Sequence, residues 1–228
     1  MLLRQIGLEF AVRVPRLEEA PVNAGGEGVT LEEQVIKLAC DKAAAVVRRM
    51  VGEGCGFGTG TAPESAAVAE YERAAGRAAA AHGATACLDS SACGQSWLVI
   101  GADTVVLIDG EVLGKPADPA EAASMLTALS GRTHVVYTGV AVLDSQTGRL
   151  ETGVERTEVT FVQLPREWVI SYVATGEPMD KAGAYAVQGL GSAFIERING
   201  CYFNVVGLPL TLLARLLRRH DFEITEAW

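Results

Sequence analysis

Residues 97–129 read WLVIGADTVVLIDGEVLGKPADPAEAASMLTAL. The uncharged run Trp97 to Ile100 is short, β-rich and closed by Gly101, which predicts a buried strand. Asp103 follows where that strand emerges, and Val105 to Ile108 continue the β pattern up to Asp109-Gly110, a dipeptide suited to a two-residue hairpin turn. A short second strand ends in Gly114-Lys115-Pro116. Asp118 is then placed to cap a helix with Pro119 at its first position and Glu121 three residues past the cap. Met125, Leu126 and Leu129 form the apolar face of that helix, and Ser130-Gly131 stops it. The pattern sets a carboxylate, Asp103, and an ammonium, Lys115, on two paired strands near a helix start. Such a pair is suited to holding a metal and a phosphate. The same residues also read as an acid closing a turn and a lysine in water.

Downstream, His134 to Leu143 reads as a buried strand carrying Thr138-Gly139, and Asp144 to Gly148 as its turn. Leu150 to Leu164 alternates over a long span and should pair antiparallel with it. Pro165 opens a helix with Trp168, Val169 and Tyr172 inward, ended by Gly176. Residues 176–189, GEPMDKAGAYAVQG, are too polar and glycine-rich for simple core, and Lys181 beside Asp180 reads as a surface ion pair. Phe194 to Ile198 is another strand, Asn199-Gly200 a turn, and Pro209 opens a last helix with Leu210, Leu213 and Leu217 buried.

Upstream, residues 2–14 read as the end of a helix, a break at Gly7 and an alternating strand, with Glu18 and Glu19 following Pro15. From the residues alone those two acids read equally as solvated surface groups or as functional ones. Thr30 with Glu33 makes a capping box for a helix running to about Met50, whose apolar stripe is Val35, Leu38, Val46 and Met50. Lys42 falls on that stripe, four residues from both Leu38 and Val46, so it is either a snorkelling lysine or a functional one. Between Val51 and Ser96 the composition shifts to Gly, Ala, Ser and Thr, and an alanine-rich helix from about Pro63 to Gly83 is expected within it.

The chain of 228 residues suits one α/β domain with a substantial core. A formal charge of −9 argues against a general nucleic-acid binder, so an anionic ligand must be met by local positive charge or by metal. No uncharged run reaches the ~18 residues of a transmembrane helix, and the start lacks a signal-peptide pattern, which leads to the expectation of a cytoplasmic protein without membrane partners. Five cysteines without zinc-ligand spacing suggest free thiols, and three scattered histidines leave hard, oxygen-liganded metals as the class to expect.

Four runs, GADTVVLIDGEVLGKP, LSGRTHVVYTGVAV, GEPMDKAGAYAVQGLG and INGCYFNVVGLPL, resemble in order and spacing the Maf family of nucleoside triphosphate pyrophosphatases. The resemblance extends over most of residues 1–50 and 97–217. It implies an α/β fold, a mixed twisted sheet flanked by helices in a two-lobed, ITPase-like arrangement with a central cleft, as a single domain over residues 1–228 with an insertion at about 51–96. It implies hydrolysis of a nucleoside triphosphate to the monophosphate and pyrophosphate with Mg²⁺ or Mn²⁺, in a homodimer. The K-A-G-A-Y…Q version of the third run resembles the subfamily acting on dTTP and UTP. On this pattern Asp103 is the general base or the metal-bound residue that orients water, and Glu19 joins it as a metal ligand. Lys42, Lys115 and Lys181 hold phosphate oxygens, and Thr104 with Gln188 sets base specificity. The family pattern also includes a turn of the form S-x-S-P-R-R-x-x-L-L before the helix containing Leu2, whereas this sequence starts at Met1 within that helix. Two alternatives follow: a silent nucleotide-binding or regulatory protein, and an enzyme for purine or modified guanosine triphosphates.

Overall fold

The structure, a computed structural model, describes residues 2–15, 17, 22, 28–52, 85–89 and 97–228. In chain order the elements are α1 (Leu2–Gln5), β1 (Ala11–Arg13), α2 (Leu31–Gly52), β2 (Thr85–Asp89), β3 (Trp97–Ile108), β4 (Glu111–Leu113) and α3 (Pro119–Leu129). They continue with β5 (Thr133–Asp144), β6 (Leu150–Phe161), α4 (Arg166–Ala174), β7 (Ile195–Asn199), α5 (Tyr202–Val206) and α6 (Leu210–Arg219). Short 3₁₀ turns occupy Glu177–Asp180, Ala182–Ala184 and Leu190–Phe194.

Local chemistry sets the boundaries. Asp109 and Gly110 both take positive φ, 51° and 82°, as the tight turn between β3 and β4 requires. Asp144 Oδ1 accepts from the backbone N–H of Gln146 and Thr147 to shape the β5–β6 turn. Both capping boxes form. Thr30 and Glu33 exchange hydrogen bonds before α2, and Asp118 accepts from the Glu121 N–H while Glu121 reaches back to the N–H of Ala117.

The strands make one sheet in the order β1-β2-β3-β5-β6-β7, with β4 pairing β3 beside β2. The expected α/β sheet with flanking helices is present, and its described pairings are antiparallel throughout rather than mixed. Short turns join β3 to β4 and β5 to β6, and a hairpin connection of that kind can only reverse direction. Two expectations need correction. Gly101 does not end the first strand, because β3 runs unbroken through it for 12 residues. Part of the segment read as an insertion, Thr85–Asp89, is a strand between β1 and β3, while the alanine-rich helix lies outside the described residues.

Glycine explains how α2 meets the sheet. A Cβ on Gly101 would lie 2.1 Å from the carbonyl oxygen of Ala39, and one on Gly139 would lie 2.5 Å from that of Val35. The helix backbone therefore rests on the strand backbones, with Ala39, Ala43 and Ala44 as the facing small residues beside Val99 and Ala141. Neighbouring strand residues point to the other face, which carries two separate cores. Leu98, Ile100, Val140 and Val142 pack with Leu212, Leu213, Leu216 and Leu217 of α6. Val106, Ile108, Val136, Val159 and Phe161 pack with α3, α4 and Tyr185. Trp168, expected inward, is half exposed and stacks on Phe194, whereas Val169 and Tyr172 are buried as expected. Among the described residues no helix is long and apolar enough to cross a membrane.

Candidate active site

A cleft opens where β3 changes partners. Along one edge, β2 pairs with β3 as far as Gly101 and β4 resumes at Val106, so residues 102–105 have no strand beside them on that edge among the described residues. The opposite edge is paired without a break to β5, with Asp103 opposite Gly139 and Thr104 opposite Thr138. The gap exposes the middle of a central strand to a cavity of about 520 Å³, whose lining includes Lys42, Asp103, Thr104, Lys115, Lys181 and Tyr185.

Because α2 sits so close to Gly101, the lysine one turn along reaches the next residue of the same strand face. Lys42 is only 2% exposed and donates from Nζ to the carboxylate of Asp103, itself 9% exposed. Removing two charges from water costs several kcal/mol each, and their close pairing offsets that cost.

The other two lysines come from loops that are tied together. The Gly183 N–H donates to the carbonyl of Gly114 at 3.0 Å, bringing the segment with Lys181 against the one with Lys115. Gly183 takes φ +68°, and a Cβ there would press on Val106 at 3.0 Å, so both conformation and space favour glycine. Glu177 organises the rest of this loop. Its carboxylate accepts from the N–H groups of Leu190 and Gly191 and from the hydroxyl of Tyr172, which in turn accepts from the Ala186 N–H. Burial works to raise the Glu177 carboxyl, but these donors together hold it below its ordinary value. Lys181 donates to Asp180 at the cleft rim, and that hydrogen bond, opposed by partial burial and helped by the charges of Lys181 and Lys115, keeps the Asp180 carboxyl below the usual range. Tyr185 is held from behind: its hydroxyl lies 2.8 Å from Nε2 of His134. Burial pushes the His134 imidazole down to about 4, so it is neutral near pH 7.

On the far face of β3, Thr104 Oγ1 lies 2.9 Å from Thr138 Oγ1, whose hydroxyl donates to the carbonyl of Asn204. Asn204 is fully buried and donates from Nδ2 to the carbonyl of Val136 and to Thr157 Oγ1. This polar seam fixes α5 to the sheet between the two apolar cores.

A family model described as Maf-like protein matches residues 1–220. The chain belongs to the Maf family. A dTTP/UTP pyrophosphatase of Pelotomaculum thermopropionicum is 42% identical over 223 residues, covering 98% of this chain and 92% of that protein. Proteins of the same description from Desulforamulus reducens and Bacillus mycoides are 54% and 51% identical over 56% and 57% of this chain, covering 66% and 67% of their own lengths.

In this Maf protein the structure gathers Lys42, Asp103, Thr104, Lys115 and Lys181 around one cleft. Gln188 lies outside the cleft lining, exposed, with its Nε2 donating to the hydroxyl of Tyr202 at 3.3 Å. Glu19 falls outside the described residues. Sequence reasoning passed over Tyr185 and Asn204, and gave Asp180 only as the ion-pair partner of Lys181, which the structure shows at the cleft rim. Asn204 carried one usable signal, an amide between aromatic and β-branched neighbours in the run YFNVVG, where a buried polar group must find partners.

Proposed function

We propose that this Maf protein hydrolyses dTTP and UTP to the monophosphate and pyrophosphate. The observation that carries this reading is a buried carboxylate, Asp103, held by Lys42 at the strand-edge gap and sharing one cleft with two loop lysines, Lys115 and Lys181. Water attacks the α-phosphorus, the bond to the β-phosphate's bridging oxygen breaks, and pyrophosphate leaves. Asp103 orients that water, either as the base that accepts its proton or as a metal-bound carboxylate, while the three lysines hold phosphate oxygens and offset the charge that grows on them. Thr104 reads the base from within the cleft, and Gln188, which the family pattern pairs with it, would have to turn in from outside the lining.

The described cleft carboxylates, Asp103 and Asp180, are hard oxygen donors, and no group of three or more acidic, histidine or cysteine side chains forms a metal cage among the described residues. That set fits Mg²⁺ or Mn²⁺, ions that take one or two carboxylates and complete their shell with water and substrate phosphates. Asp103 would hold the ion, together with Glu19. When bound, the metal supplies positive charge against the phosphates.

Pyrophosphate release from a panel of triphosphates, with Mg²⁺ or Mn²⁺ added, tests the reading. Turnover of dTTP and UTP above GTP and ATP is the expected result. A preference for purine or modified guanosine triphosphates would overturn the substrate assignment, and nucleotide binding without turnover would make the protein a silent member of its family.

A further inference from the structure

We infer that Thr138 fixes the chemical sense of the Thr104 hydroxyl, making it a hydrogen-bond acceptor toward the cleft and hence a selector for pyrimidines that carry a proton on N3. The inference rests on the proposed pyrimidine triphosphate activity and says how one ring is told from another.

A threonine hydroxyl has a single proton to give. That of Thr138 goes to the backbone carbonyl of Asn204 at 3.0 Å, a group that can only accept. The Thr138 oxygen can therefore only accept from Thr104, 2.9 Å away, and the Thr104 proton must point at Thr138. Thr138 is fully buried, so no water reaches its oxygen to take the place of Thr104 as donor. The end of the relay is held firmly. The Asn204 carbonyl also accepts from the Gly207 N–H at 2.9 Å, and the Asn204 side-chain amide is bound to Val136 and Thr157.

Thr104 is left with oxygen lone pairs on its open side, which lies beside Gly207. Both residues line the cleft, and Gly207 takes φ +107°, a conformation that favours glycine. A Cβ on Gly207 would sit 3.4 Å from Thr104 Oγ1, so its absence keeps the approach to that oxygen clear. Uracil and thymine present N–H at position 3 and complete the relay as one more donor. Cytosine presents a lone pair there, and two acceptors then face each other without a proton between them. Unmet polar groups of this kind discriminate by about ten- to a hundredfold.

The test compares kcat/KM for UTP and CTP in the wild type, Thr138→Val and Thr138→Ser. Valine keeps the shape of threonine and removes the oxygen, freeing the Thr104 proton to turn into the cleft; serine keeps the relay. The wild type should favour UTP by about ten- to a hundredfold. Thr138→Val should collapse that ratio, chiefly by raising CTP turnover, and Thr138→Ser should preserve it. A merely structural role for Thr138 would lower both substrates together. Should Thr138→Val fail to fold, Thr104→Val serves: loss of the acceptor should reduce UTP turnover and spare CTP. Equal use of UTP and CTP by the wild type, an unchanged ratio in folded Thr138→Val, or a greater loss for CTP than UTP in Thr104→Val would overturn the inference. A wild-type enzyme that hydrolyses no pyrimidine triphosphate would reject the underlying activity as well, and that arm of the experiment separates the two failures.

Discussion

Lys42 and Asp103 meet inside the cleft with side chains 3% and 10% exposed, whereas Lys181 and Asp180, neighbours in sequence, meet at its rim with 39% and 76% exposed. Both are lysine–aspartate pairs within reach of the same cavity. At the rim, water already solvates each charge, so the pair contributes about 0–1 kcal/mol and Lys181 can exchange its carboxylate for a phosphate at little cost. Inside, the two charges are buried against each other. Breaking such a pair from one side strands a buried ion and costs about 3–5 kcal/mol. The same two residue types thus make a pair that exchanges easily at the rim and one that also holds the fold together inside the cleft.

The sharpest way to separate the two pairs is Asp103→Asn. Loss of the carboxylate should cut pyrophosphate release by about 10²–10⁴-fold. It should also lower stability by about 3–5 kcal/mol, because a buried ion pair is broken from one side. Adding Lys42→Met should recover most of the thermal stability and none of the turnover; melting curves and initial rates on both variants check this. A single variant that melts with the wild type would show that the pair is not energetically buried.

Gly101→Ala attacks the seat of the buried pair without touching a charge. The new methyl would overlap the Ala39 carbonyl, forcing α2 away from β3 and Lys42 away from Asp103. Overpacking of this kind costs about 1–3 kcal/mol or more, and turnover should fall along with stability. Urea denaturation read beside the rate measurement tells whether the two losses come together.

The rim has its own buried anchor in His134. Its folded value of about 4 lies below the ordinary 6.5, so between those limits the unfolded chain binds more protons than the native one. Stability therefore rises with pH across that window, and His134's contribution is lost as pH falls from 6.5 toward 4. Melting temperatures of the wild type minus those of His134→Gln, taken from pH 7.5 to 4.5, should show this fall. The smallest effect belongs to Asp180→Asn. Its stability should stay within about 1 kcal/mol of wild type, and any change should appear in KM, as Lys181 loses its competing partner.

Much of the framework was legible along the chain because its causes are local. Asp109-Gly110, the two capping boxes and the alternation in Leu150–Phe161 each act over a few residues, and each produced the element expected. The placement of Lys42 on the apolar stripe of its helix was also visible, though not its partner 61 residues away. Gly101 misled because a glycine that ends a strand and one that admits a helix backbone look alike in one dimension. Thr85–Asp89 was hidden by surroundings rich in small residues, which weaken the β signal, and only its pairing with β1 and β3 reveals it.

By itself the amino-acid sequence determined the turns, the caps, the long strands, and the family pattern that singles out Asp103, Thr104 and the three lysines. These follow from hydrogen bonds and apolar periods that close within a few residues. The tertiary structure decided which of those groups share a cleft, which lysine is buried and which is free to exchange, and which way the Thr104 hydroxyl points. Those outcomes depend on where two strands leave a gap beside β3 and on how closely α2 approaches Gly101 and Gly139. Distances of that kind are set by packing among segments far apart in sequence, and no single segment encodes them.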